Sequence, residues 1–217
     1  MIKAVIFDLD GLLVDSEPMW GGMRDWMADQ AGMPRSTLDH GAVMGASTAE
    51  WADYLIERLG LSHSRQEVVD MGIGRMVEMY RDGIPYRPGA LEAIELAARG
   101  YRTAVASGAH PTLIETVMAD PPMRGRFEVV VTADEVGAGK PAPDVYLAAA
   151  ERLGVDPAEC VCLEDSGNGI IAGARAGIRV IAVPDPRFPP RPEALEQAHL
   201  VLASLTELSA ELLAGND

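Results

Sequence analysis

The chain is almost without lysine: of its 18 basic residues only Lys3 and Lys140 are lysine, and the rest are arginine. Positive charge of any kind is short, because 33 acidic residues leave a formal charge of -15 over 217 residues. A polymer this negative repels nucleic acid and anionic membrane surfaces, so nucleic acid and membrane are excluded as partners. Cysteine is scarcer still, with only Cys160 and Cys162. Residues two apart in a strand point the same way and close no loop, which predicts reduced, buried thiols and no disulfide framework. Long apolar runs are missing as well. No 18-residue apolar stretch occurs, and the opening apolar run meets Asp8 before a signal-peptide core can form, so a soluble cytoplasmic protein is expected. What remains is ordinary globular composition, 48% hydrophobic and 24% charged, in a chain long enough to bury a core unaided.

Short β-rich apolar runs recur along the chain at 3–7, 102–106, 127–132, 160–163 and 179–183, with a weaker one at 199–202. Helical patterns fall between them at 89–99, 111–118, 144–153 and 169–176, and Gly154 and Gly177 stand where helix C-caps favour glycine. Alternating strands and helices imply an α/β fold with a doubly wound, Rossmann-like parallel sheet. Residues 16–85 break the rhythm. They are helical in pattern, hold Trp20, Trp26 and Trp51, and read as an inserted helical cap domain on a core made of 1–15 and 86–217. Met19, Met23, Trp26 and Met27 share one helix face there, as bundle core or as a substrate-lining stripe. The crossings near 14–17 and 85–89 are candidate hinges, and the Pro- and Arg-rich stretch 184–192 is expected to be an exposed loop.

Four strand ends carry groups that could do chemistry. After the first, Asp8 and Asp10 project to the same side, and two such carboxylates call for a metal, an acid/base couple, or both; solvated turn acids are the alternative. After the fourth long run, Glu164 and Asp165 form a second acidic pair, suited to Mg²⁺ or to capping the next helix through Asp165 or Ser166. Ser107 and Gly108 end another run just before Pro111, as an anion site at a helix start or as a simple cap. Lys140 lies in Gly-Ala-Gly-Lys-Pro-Ala-Pro-Asp, which is no P-loop, since Asp134 and Pro141 occupy positions that motif gives to Gly and Ser/Thr. A compact ammonium holding two anions together explains a lysine in a chain that avoids them. Ligands collect at the carboxyl ends of parallel strands, so the four read together as a phosphate and Mg²⁺ site.

In order and spacing, Asp8-Leu9-Asp10-Gly11, Ser107-Gly108, Lys140-Pro141-Ala142-Pro143-Asp144 and Glu164-Asp165-Ser166 resemble the four motifs of the haloacid dehalogenase superfamily of phosphotransferases. The insert resembles the small α-helical cap of the branch holding β-phosphoglucomutase and sugar-phosphate phosphatases. This resemblance implies Asp8 as nucleophile, Asp10 as general acid and base, and Lys140 as a catalytic cation. It implies Ser107, Gly108 and Lys140 as phosphate-binding groups. Mg²⁺ would be held by Asp8, the Asp10 backbone carbonyl, Asp165 and Glu164. Trp20, Arg24, Met44, Thr48 and Arg75 are the candidates for cap specificity.

The resemblance also separates branches. An acid at position 10 disfavours dehalogenases and ion-pumping ATPases, and the cap has no lysine for the Schiff base that phosphonate-cleaving members need. Trp20 and Thr48 stand where the mutase branch has a histidine and an arginine. The expected protein is therefore a monomeric Mg²⁺-dependent phosphatase of small phosphorylated metabolites, sugar phosphates foremost. β-Phosphoglucomutase-type phosphoryl transfer and a non-catalytic phosphometabolite-binding role are the alternatives.

Overall fold

A computed structural model describes residues 1–43 and 48–215, which divide into two compact units, residues 1–15 with 86–215 and residues 16–85. The larger unit begins with β1 (Ala4–Phe7), whose four residues are fully buried. The smaller holds α1 (Glu17–Gln30), α2 (Thr48–Leu59) and α3 (Arg65–Arg81). The chain then returns through α4 (Ala90–Ala98), β2 (Arg102–Ser107), α5 (Pro111–Ala119), β3 (Val129–Thr132) and α6 (Asp144–Leu153). It finishes with β4 (Cys160–Glu164), α7 (Gly167–Arg175), β5 (Arg179–Ala182) and the short α8 (Pro192–Leu195), β6 (Leu200–Val201) and α9 (Ala210–Ala214).

All six strands are parallel, in the order β3-β2-β1-β4-β5-β6. A parallel sheet needs cover on both faces, which is why its central strands read as unbroken apolar runs and not as alternation. Side chains of β1, β2, β4 and β5 join Val145, Tyr146, Ala149 and Leu153 of α6 and Ile170 and Ala172 of α7 in one core cluster. Cys160 and Cys162 are buried in it as free thiols. Glycines end α6 and follow α7 where the left-handed cap requires them, Gly154 with φ 65° and Gly177 with φ 73°. The third strand begins two residues later than the apolar run suggests. Phe127 leaves the ladder to pack edge-on against Phe7, ring centres 5.8 Å apart.

In the helical unit, α3 opens on a capping box between Ser64 and Glu67. Met23 and Met27 of the α1 stripe are buried, while Met19 and Trp26 are half-buried, so two of the four are core. Gly72 of α3 lets Trp51 approach: a Cβ there would lie 2.8 Å from the indole. Met44 and the turn residues Gly45, Ala46 and Ser47 lie outside the described residues. No helix among those described is long and apolar enough to cross a membrane.

The two crossing segments are joined to each other on the core side. Val14 bridges to Tyr86, and the Arg87 N–H donates to the Leu13 carbonyl at 2.9 Å. The stretch 184–192 is mostly exposed, as expected, except at Asp185, which is 5% exposed. Burial of this acid follows from two guanidinium partners: Arg87 at 2.9 Å, and Arg187, which also reaches Asp15. Hydrogen bonds from Arg187, with the charge of Arg87, pull the Asp185 carboxyl down to about 2. A depressed folded-state value stabilises the fold above the ordinary carboxylate range and loses that stabilisation as pH falls toward 2. Asp185→Asn should therefore cost about 2 kcal/mol at pH 7, with the gap to wild type roughly halved at pH 3. Denaturant unfolding of both proteins across that range checks it; a gap independent of pH would refute the ion-pair account.

Candidate active site

Register brings the first two acids together. β1 and β4 are paired with Phe7 opposite Leu163, so the next residues, Asp8 and Glu164, leave neighbouring strands side by side. The Asp8 N–H donates to the Leu163 carbonyl at 3.1 Å, carrying the ladder one step past the strand. Asp165 follows Glu164. One carboxylate oxygen each from Asp8, Glu164 and Asp165 lie within 4.8 Å of one another. Gly11, with φ 90°, makes this approach possible, because a Cβ there would fall 2.1 Å from an Asp165 oxygen.

Lys140 reaches the acids from the segment after β3, preceding a cis peptide to Pro141. The Pro141 carbonyl accepts a hydrogen bond from Arg175 at 2.9 Å. The Lys140 ammonium donates to Asp8 Oδ1 and to Glu164 Oε1, the latter at 2.5 Å. It thus holds two anions together, and its own burial, which disfavours the charge, is outweighed by Asp8 and Glu164, so its pKa is raised. Burial also drives the acids upward. Asp8 is raised to about 7, against the pull of Lys140 and with the push of Glu164. Asp165 is raised well above the usual range by burial and by the charges of Asp8 and Glu164. Three carboxylates thus crowd around one amine that bonds two of them, Asp8 and Glu164.

Glu164 is fully buried, and both of its oxygens are taken. Oε1 accepts from Lys140 and from the Tyr146 hydroxyl at 2.7 Å. Oε2 accepts from the backbone N–H groups of Asp165 and Ser166 at 3.1 and 3.2 Å and from the Ser166 hydroxyl at 3.1 Å. By contrast, Asp165 Oδ1 is buried with no hydrogen-bond partner among the described residues. A lone buried carboxylate oxygen beside two further acids suits a hard divalent cation such as Mg²⁺, which takes oxygen ligands from one or two carboxylates.

Ser107, fully buried, ends β2, and its Oγ accepts from the Ala109 N–H at 3.1 Å; the cap of α5 is His110, not Ser107. Gly108 is exposed. Asp10 is half-buried on the loop after β1 and bridges to Val14; its carboxylate is not in the acidic cluster. Ser166 caps α7, accepting from the Gly169 N–H at 3.1 Å, so capping and the acidic site coexist at this strand end.

Within the helical unit, Trp20 packs on Trp51 with ring centres 5.7 Å apart, and Thr48 opens α2. Arg75 pairs with Glu78 at 3.0 Å and lies over the Trp26 ring. Arg24 is held inside this unit. It is 3% exposed, with its guanidinium on Glu17 at 2.5 Å and on His40 Nδ1 at 3.1 Å, because a charge taken out of water needs fixed acceptors. Tyr146 was not singled out by the sequence, nor was the close approach of acids that Gly11 and Gly169 permit. The available signal for Tyr146 was a phenol on the inward face of a helix otherwise lined with Val, Ala and Leu, which must find a hydrogen-bond partner.

A family model for haloacid dehalogenase-like hydrolases matches residues 2–177. Hexitol phosphatase B of Escherichia coli strain K12 is 36% identical, with 99% of this chain and 97% of that protein aligned. The crystal structure of CbbY from Rhodobacter sphaeroides in complex with phosphate superposes with a TM-score of 0.83 at 28% identity, covering 99% of this chain and all of that one. A structure named as a putative β-phosphoglucomutase from Thermotoga maritima gives 0.79 at 27% identity, covering 99% and 98%.

Proposed function

Since the chain belongs to the haloacid dehalogenase-like hydrolases, we propose that it is a phosphatase releasing inorganic phosphate from small phosphorylated metabolites, sugar phosphates foremost, through a phosphorylated Asp8. The observation carrying this reading is the shared Lys140 ammonium, which leaves Asp8 buried, oriented and able to attack. A similarity of 36% over nearly the whole chain to a protein named hexitol phosphatase supports the substrate class.

In the first step an Asp8 carboxylate oxygen attacks phosphorus, the ester P–O bond breaks, and Asp10 gives its proton to the leaving alkoxide. In the second step Asp10 takes a proton from water as that water attacks phosphorus. The bond to Asp8 then breaks and orthophosphate leaves. Lys140 and Ser107 act on the phosphoryl oxygens; the Ser107 oxygen already accepts from Ala109, so its own hydrogen is the part left to donate. Asp8, Asp165 and the Asp10 backbone carbonyl would hold Mg²⁺, which supplies positive charge where a phosphate dianion joins an already acidic site. Glu164, with both oxygens committed, acts by anchoring Lys140.

The test is phosphate release from a panel of sugar and sugar-alcohol phosphates. Turnover should require Mg²⁺, fall by about a hundredfold or more on chelation, and return when Mg²⁺ is restored. Silence across the panel would remove the phosphatase reading. Phosphoryl transfer of the β-phosphoglucomutase kind is the weaker reading, and β-glucose 1-phosphate with a bisphosphate primer separates the two: free phosphate should accumulate ahead of glucose 6-phosphate.

A further inference from the structure

We propose that Tyr146 is a positioning residue for Lys140, acting through Glu164. Its hydroxyl donates to Glu164 Oε1 at 2.7 Å, the same oxygen that receives Lys140 at 2.5 Å, and its ring centre lies 5.0 Å from the lysine nitrogen. One side chain thus touches both members of the pair. It is also the largest fully buried side chain among the described residues, on the first turn of α6, so its place is set by sheet packing and not by the site.

The consequence follows from how Glu164 is held. Its Oε2 is fixed by two backbone N–H groups and a serine hydroxyl, whereas the donors to Oε1 among the described residues are Lys140 and Tyr146. Without the phenol, Oε1 concentrates its charge on the ammonium alone, and Lys140 is drawn from Asp8 toward Glu164. With the phenol, part of that charge is met elsewhere and Lys140 remains shared. The hydroxyl therefore sets how much of one cation reaches Asp8. Its effect on turnover rests on the phosphatase reading; its effect on Lys140 does not.

Having only two lysines makes the test direct, because side-chain ¹⁵N-lysine labelling yields one signal from exposed Lys3 and one from Lys140. Tyr146→Phe keeps the ring and removes the hydroxyl. The Lys140 resonance should shift and its protons exchange at least about threefold faster, with Lys3 unmoved. In the same variant kcat should fall about tenfold while KM and calorimetric Mg²⁺ affinity stay within about twofold. An unmoved Lys140 signal, or a kcat within about twofold of wild type, overturns the proposal. Should the variant fail to fold, the wild-type protein decides. A Tyr146 hydroxyl proton protected from exchange and cross-relaxing with the Lys140 ammonium supports the assignment, and a freely exchanging one overturns it. If wild type hydrolyses no monoester at all, the phosphatase reading falls, while the lysine signals still report on Tyr146.

Discussion

Asp8→Asn should abolish phosphate release, by roughly 10⁴-fold or more, while leaving a metal-free protein that melts no lower than wild type. The two halves of this expectation have one cause. Asp8 is buried beside Glu164 and Asp165 with a single amine between them, and burial raises it to about 7. An acid whose folded-state value lies above its unfolded value destabilises the fold increasingly as pH rises past the unfolded value. The amide removes that cost yet still offers Lys140 an oxygen to accept its hydrogen bond. The melting difference in favour of the Asp8→Asn variant should therefore widen from about pH 5 to about pH 8. Adding Mg²⁺ should reverse the order, since an ion that binds the folded wild type more tightly stabilises it more. Calorimetric melting with and without Mg²⁺ checks both signs. A metal-free variant melting well below wild type would show that Asp8 is needed for packing and would leave the activity loss uninterpretable as chemistry.

Gly169→Ala is expected to be the most damaging change that leaves every charged residue in place. A Cβ at this position would lie 1.7 Å from Glu164 Oε1 and 1.9 Å from the carboxyl carbon. A flexible acid would swing aside cheaply; this one is fully buried and fixed by Tyr146, Lys140, Ser166 and two backbone N–H groups. Either α7 moves off the sheet or Glu164 gives up those bonds and releases Lys140. The expected cost is about 3 kcal/mol of stability, in the range for disrupting a buried ion-pair network. Phosphate release should fall by at least about a hundredfold. Denaturant unfolding and turnover of the variant are the measurements, and Gly74→Ala is the control, because a Cβ there meets nothing within 4 Å. Equal effects at the two glycines would mean that helical strain, and not the Glu164 contact, is responsible.

Much of this architecture is legible in the amino-acid sequence alone. Unbroken apolar runs separated by helical periods announce a parallel sheet, because strands covered on both faces show no alternation. The order of the strands places Asp8, Ser107 and Glu164 at carboxyl ends, where such sheets collect their ligands. The scarcity of lysine singled out Lys140. The partners of Arg24 are not legible there, because nothing local says that Glu17 and His40 will hold a helical arginine out of water. Asp185 misled, sitting in a proline-rich stretch with every mark of an exposed loop.

Local pattern decided which segments become strands and helices and which strand ends bear charge, since periodicity and chemical type are properties of neighbouring residues. Only the folded chain decided how the charges are shared. Lys140 meets Asp8 across 132 positions, and Glu164 meets Tyr146 across 18. Whether a carboxylate oxygen is spoken for, as in Glu164, or left over, as in Asp165, depends on how many donors converge on it from separate elements. Convergence of that kind is set by packing and register, which no stretch of sequence contains by itself.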